Sequence, residues 1–323
     1  LNQIIDQLPG YGEWKSTLVS IDGSDQTHEV FYRNPLDCLR ALWADPTFAE
    51  HMSFAPEKRF ADALKNIRLY TEMKTGDFWW DIQAKLPVGA TAVPIIISTD
   101  KTELSQFTGE ATAYPVYMTI GNIDSHIRRQ PSRHAQVLIG YLPTSTVEQG
   151  DLTDLALRNA KARLFHAAMR AILEPLRDAA AAGVHLKSSD GAVRDCYPML
   201  AVYAADYPEQ ALVSCTRYGS RCPKCDACKD DFSSGKAGKA RHPQESLDAI
   251  READELSKVS AAPHRRNPDV KRLPALYVPK PFWEDWLHAD IHQAITPDIL
   301  HQLYQGMVKH LTAWARSVVG DEE

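Results

Sequence analysis

Apolar positions fall into distinct periods along this chain, and the period changes near residue 88. Before it, "NPLDCLRALWAD" places Leu36, Leu39, Leu42 and Trp43 on one helical stripe. Asn34 stands at the N-cap and Pro35 at the first helical position. "ADPTFAEHMSF" repeats the cap-then-proline signal, and "TGDFWWDIQAKLP" carries Phe78, Trp79 and Trp80, which suit packing more than base stacking. Residues 1–87 therefore read as a mostly helical leader.

After residue 88 the pattern becomes strand-like. "TAVPIIIST", "AYPVYMTIG" and "AQVLIGYLP" are short β-branched or aromatic runs joined by short loops, which predicts an antiparallel meander. Residues 154–180 form a long amphipathic helix ended by Gly183, and "CYPMLAVYAADYPEQ" reads as another strand. "SSDGAV", with Asp190 before Gly191, is a hairpin turn. Residues 215–275 break the pattern with a cysteine cluster, a Ser/Gly/Lys loop, a polar helix and the basic linker "HRRNPDVKR". In 276–323, "PFWEDWLHADIHQAI" reads as strand-like, and a helix begins at "TPDILHQL" with Thr296 as cap. The order is a mixed α/β arrangement, and it describes a ribonuclease-H-like sheet. Its parts are 1–87, a first core part 88–214, a zinc-knuckle insertion 215–275 and a last core part 276–323.

Composition narrows the class. With 44% hydrophobic and 24% charged residues in 323, the chain has the balance of a globular protein. No apolar run approaches the roughly 20 residues of a membrane helix. The start at Leu1 predicts a partial gene product, with no signal-peptide pattern. The net charge of −6 gives nucleic-acid binding no support, though it permits local basic patches. Four of six cysteines lie within "CTRYGSRCPKCDAC", which points to metal in a reducing, intracellular compartment.

Three constellations could carry chemistry. Asp100 ends the first meander strand and Asp206 ends the later one; two-metal phosphoryl transfer needs such converging carboxylates. Asp298, at the start of the last helix, is the third candidate, ahead of Asp290 and Glu284, although an acid there also complements the helix dipole. Cys222 and Cys225 form a C-x2-C knuckle, Cys215 is a third zinc ligand, and Cys228 or His242 the fourth, giving a closed, structural site. The loop "HIRRQPSRH" offers Arg128, Arg129 and Arg133 to a DNA backbone. His288 and His292 lack the intervening glutamate of a zinc-protease helix, and a packed role suits His301 better than a ligand role.

The segment from Leu86 to Pro143, with "YPMLAVYAADYPEQALVSC", "CPKC" and "AITPDILHQLYQGMVKHL" following in order, resembles the Plavaka transposases of fungi, a group of CACTA-like cut-and-paste elements. The leader "FYRNPLDCLRALWADPTF" is similar too. The resemblance implies a ribonuclease-H-like catalytic core with a DDE/D acidic triad on Asp100, Asp206 and Asp298 holding Mg²⁺ or Mn²⁺. It implies DNA ends and target DNA as partners, a homo-oligomer on DNA, and a nuclear location. "HQLYQGMVKHL" departs from the family's "HQLHKGVFKDHL". A second reading is therefore a decayed, zinc-stabilised DNA- or protein-binding remnant without catalysis.

Overall fold

The computed structural model describes residues 11–21, 26–104, 112–144, 154–232, 234–258 and 278–320. The basic linker at 264–272 lies outside them. The main sheet has seven strands in the order β1-β2-β9-β8-β5-β11-β10. These are β1 (Trp14–Ser20), β2 (Thr27–Arg33), β5 (Thr91–Thr99), β8 (Pro115–Ile120), β9 (Val137–Tyr141), β10 (Val184–Lys187) and β11 (Val193–Ala204). Two small hairpins accompany it: β3 (Arg59–Phe60) with β4 (Arg68–Leu69), and β6 (Thr102–Glu103) with β7 (Thr112–Ala113). The helices are α1 (Pro35–Ala44), α2 (Asp77–Gln83), α3 (Ser125–Arg128), α4 (Asp154–Ala182), α5 (Tyr207–Val213), α6 (Pro243–Lys258), α7 (Ile291–Ala294) and α8 (Lys309–Val319).

The expected meander is present as β5, β8 and β9, paired antiparallel with Ile97 opposite Met118 and Met118 opposite Val137. β5 is buried along nearly its whole length, which is why an unbroken apolar run encodes it. The leader differs from expectation. It supplies α1, with Asn34 Oδ1 capping the Leu36 N–H at 2.9 Å, but also the β1–β2 hairpin, which joins the sheet through Phe31 opposite Tyr141. In β2 the alternation of buried His28 and Val30 with exposed Glu29 and Phe31 is a strand period.

The chain divides into two compact units. The first comprises residues 1–202 and 278–290. Its core sits between the sheet and α1 and α4, where Leu39, Leu42, Trp43, Met169, Ile172, Leu173 and Leu176 are fully buried. Gly140 makes room for this packing: a Cβ there would lie 3.0 Å from Ile172 Cδ1 and 3.1 Å from the Phe31 carbonyl. The turn expected at Asp190 closes the β10–β11 hairpin, with Gly191 at φ +85° and Asp190 accepting from Arg194. Residues 278–290 form turns where a strand was expected. Their aromatic residues pack singly: Phe282 N–H donates to His166 Nδ1 at 3.3 Å on α4, and Trp286 Nε1 donates to the Pro198 carbonyl at 3.0 Å on β11.

The second unit comprises residues 203–277 and 291–323. Here a single parallel bridge joins Tyr203 to Ile295 in place of the expected last strand. The expected final helix is divided: a π-helix runs over Ile299–Val308, and α8 continues it.

Candidate active site and thiol knuckle

Asp100 follows the last residue of β5, is exposed, and resumes the chain into β6. Among the described residues its carboxylate has no hydrogen-bond or ion-pair partner. β5 has β11 as a neighbour in the sheet, and Asp206 lies two positions past the end of β11.

Within the second unit the acids have a repeated local logic. The bridged residues Tyr203 and Ile295 are each followed, three positions later, by an aspartate. Each aspartate caps a helix. Asp206 Oδ1 accepts from the Glu209 N–H at 3.0 Å, with Pro208 in the first turn of α5. Asp298 Oδ1 accepts from the His301 N–H at 3.0 Å, and its Oδ2 lies 2.8 Å from His301 Nδ1. The two stretches are tied by Gln210, a 3% exposed side chain whose Nε2 donates to the Ala205 carbonyl at 2.8 Å and the Thr296 carbonyl at 2.9 Å. These carbonyls flank Asp206 and stand two residues before Asp298. Periodicity gives Gln210 no signal, because its partner lies on a distant part of the chain.

The cysteines divide into a pair and two separate thiols. Cys222 and Cys225 are hydrogen-bonded through their side chains. Cys222 Sγ accepts the Lys224 N–H at 3.4 Å, and Cys225 Sγ accepts the Ala227 and Gly238 amides. A Cβ at Gly238 would sit 2.8 Å from Cys225 Sγ, so glycine is what lets the backbone close on the sulfur. Burial, with the Cys222 thiol adding to it, holds the Cys225 thiol above its ordinary range. Backbone amides aimed at two adjacent sulfurs suit a metal-bound thiolate pair. Cys228 instead donates to Asp231 Oδ2 at 2.9 Å. Cys215 is 1% exposed and sits at φ +56° just past α5. There the Thr216 N–H bonds the Ala211 carbonyl and the Cys215 N–H the Leu212 carbonyl, a helix stop that normally takes glycine. His242 is exposed and lies just before α6. Among the described residues, no three His, Cys, Asp or Glu side chains are gathered as metal ligands.

The knuckle is held by groups whose structural role no local pattern gives away, among them the His292 set aside above as a protease ligand. His292, 2% exposed, has Nδ1 2.6 Å from the Pro223 carbonyl and Nε2 2.8 Å from Ser246 Oγ. A carbonyl only accepts, so Nδ1 carries the proton and Nε2 can accept from the serine. Lys224 Nζ donates to the Ile295 carbonyl at 2.7 Å, and Arg241 Nε to the Cys222 carbonyl at 2.9 Å. The knuckle is thereby fastened to the strand-like stretch that leads to Asp298.

Of the three loop arginines, Arg128 is turned inward: Nε donates to the Ile123 carbonyl at 2.8 Å, and Glu72 lies 4.0 Å away. Arg133 reaches the Thr47 carbonyl at 3.4 Å, and Arg129 is exposed.

No helix among the described residues is long and apolar enough to cross a membrane. No curated protein matches the chain. The model of the family described as Plavaka transposase matches residues 1–315, nearly the whole chain. A match of that extent, on a chain whose acids and thiols lie at the ends of strands and in a knuckle, is decisive: the chain belongs to the Plavaka transposase family.

Proposed function

We propose that this chain is the catalytic core of a DDE/D-type transposase with a ribonuclease-H-like sheet, in which Asp100, Asp206 and Asp298 hold Mg²⁺ or Mn²⁺. The observation that carries the reading is the repeated offset: two chain stretches bridged in parallel at Tyr203 and Ile295 each end, three residues on, in a helix-capping aspartate. β11, which leads into the first of them, neighbours the strand that ends before Asp100. Bound divalent ions would supply charge stabilisation to attacking and leaving oxygens at phosphorus.

The chain's own part is positional. Gln210 and the two caps fix the acids of the second unit, and Asp100 offers a carboxylate that is unengaged among the described residues. In the first step a water oxygen bonds to a phosphorus at the element's end and gives up a proton, and the P–O3′ bond breaks to free a 3′-hydroxyl. In the second, that hydroxyl bonds to a target phosphorus and loses its proton, and the target's own P–O3′ bond breaks and its oxygen is protonated. Both are in-line displacements, so one set of carboxylates can serve both.

Cys222 and Cys225 hold a structural zinc in this reading, completed from Cys215, Cys228 and His242. Arg129 and Arg133 are the loop side chains offered to DNA phosphates, with Arg128 shaping the loop. The protein works in the nucleus, as a homo-oligomer on DNA.

The experiment is Mn²⁺-dependent nicking and strand transfer on oligonucleotides carrying the element's ends. Asp100→Asn and Asp206→Asn should each lower both activities at least about 100-fold, the scale expected when charge stabilisation at a reacting centre is lost. Cleavage that persists in both variants sinks the triad. Cleavage without joining would make the protein a nuclease of the same family.

A further inference from the structure

Three cationic side chains converge on one small cleft of the first unit, and none of the acids proposed for catalysis lines it. The cleft has a volume of about 130 Å³ and opens between the end of β1, α4 and the turn at residues 278–280. Arg163 and Arg170 line it from α4, Lys280 from the turn and Ser20 from the last position of β1, with Ile21 and Pro279 as walls. Arg163 and Arg170 stand seven positions apart, two turns along one helix face, and Arg177 continues the row. No carboxylate lines the cleft. The acids near the row are Asp285, Glu174 and Asp178. Asp285 is ion-paired with Arg170, while Glu174 and Asp178 are exposed on α4. Arg170 also donates to the Pro281 carbonyl at 3.4 Å, which ties it to the turn. Lys280 is exposed and makes no ion pair among the described residues. Arg177 is only 8% exposed, and its Nε and Nη1 meet no hydrogen-bond partner among the described residues. Burial, and then the Arg170 charge, draw its pKa down.

Like charges gathered in a cleft repel one another, and a guanidinium held away from water without a counter-ion is costly. One paired carboxylate does not answer the three cations of the cleft and the buried one behind them. In a chain of net charge −6, such a concentration of positive charge calls for an anion. We infer that the cleft binds a single phosphate group, either free or carried as a monoester on a larger ligand. Size favours it: a water takes roughly 30 Å³, so the cleft has room for about four, enough for one tetrahedral oxyanion and too little for a strand. Shape favours it too. The donors come from three separate elements, which suits an ion whose oxygens point in several directions. A planar carboxylate held by one guanidinium fork would leave Lys280 and Ser20 unused. Charge agrees, because a phosphate monoester carries about −1.5 to −2 at neutral pH and so answers more than one cation. The choice of ligand rests on the cleft alone and not on the catalytic reading.

The test is titration calorimetry of the full chain with inorganic phosphate, in chloride buffer at constant ionic strength. Binding should saturate at one site. Lys280→Gln and Arg170→Gln should each weaken it about 10-fold or more, the effect of losing one charged hydrogen bond. Lys280 is exposed, so its variant keeps the test decisive if the Arg170 variant fails to fold. Arg163→Lys should weaken binding less than Arg163→Gln, because it keeps the charge and loses only the fork. Asp285→Asn should strengthen binding, since it releases Arg170 from its own carboxylate; a purely structural role for the pair would give no such gain. Glycerol phosphate that competes with inorganic phosphate would show that the cleft takes the group on a larger ligand. Phosphate binding that glycerol phosphate leaves untouched would make the free ion the ligand. A phosphate heat no larger than that of added chloride overturns the proposal, and so do affinities within two-fold of wild type in both Lys280→Gln and Arg170→Gln. Asp100→Asn should bind phosphate as wild type does, so a failure of nicking and a failure of phosphate binding are read separately.

Discussion

Single residues carry much of the geometry. Gln210 is the clearest, because both its donated bonds go to backbone carbonyls beside the capping acids. Gln210→Leu keeps the volume but leaves those carbonyls unpaired in a buried place, which should cost about 2–4 kcal/mol. Urea unfolding of the second unit would show the loss, and Mn²⁺-dependent nicking should fall with it. An unchanged midpoint would mean that water replaces the amide. The isolated thiols of the first unit give a pH signature. Burial pushes Cys38 up to about 11 and Cys196 up to about 12. An unfolded cysteine ionises near 8.5, so above that pH the unfolded chain has given up protons that the folded chain keeps. Stability from these thiols is therefore complete below about pH 8.5 and is lost as pH rises toward 11 and 12. Denaturant midpoints measured at pH 8 and pH 10 should fall, and the fall should shrink in Cys38→Ala/Cys196→Ala.

At the scale of elements, the knuckle and the stretch before Asp298 behave as one piece. Pro223 and Lys224, the two residues between the paired cysteines, bond His292 and the Ile295 carbonyl respectively. Removing the zinc proposed for the knuckle with a chelator should therefore raise amide exchange not only at Cys222–Cys228 but also at Ile295–His301. Protection unchanged at the second stretch would show the knuckle to be a separate staple. His292→Ala should cost roughly 2–4 kcal/mol, since it leaves a buried carbonyl and a buried hydroxyl unpaired.

Much of this level was legible beforehand. β5, β8, β9 and β11 are largely buried apolar runs, and each reads as a strand from its residues alone. α1 announced itself by Asn34 and Pro35, and the β10–β11 turn by Asp190 and Gly191. The β1–β2 hairpin was hidden because only Val19 of β1 is buried, so its alternation barely registers. The stretch 278–290 misled in the other direction: its tryptophans are buried by turns that fit onto α4 and β11, not by strand pairing. His292 and Gln210 were unreadable because long-range partners to backbone carbonyls leave no local pattern.

On the scale of the whole molecule, the order of strands in space departs from their order in the chain. Local pairs such as β1–β2 and β10–β11 close short loops, whereas β2 pairs with β9 through Phe31–Tyr141 and Tyr32–Gly140 alone among the described residues. That seam joins residues far apart in sequence, and it has little hydrogen bonding of its own. Loop closure must precede the contacts that reward it, so such a seam forms slowly. The β1–β2 hairpin should dock after the meander has settled on α4. Pulsed hydrogen exchange during refolding should show Met118 and Ile139 protected before Phe31 and Tyr32. The stacking of Trp14 on Tyr141 then comes into being only with the last docking step. A chain caught half-folded would already hold its meander on α4 while its N-terminal hairpin still hung loose, with the edge of β9 open to a strand from another copy.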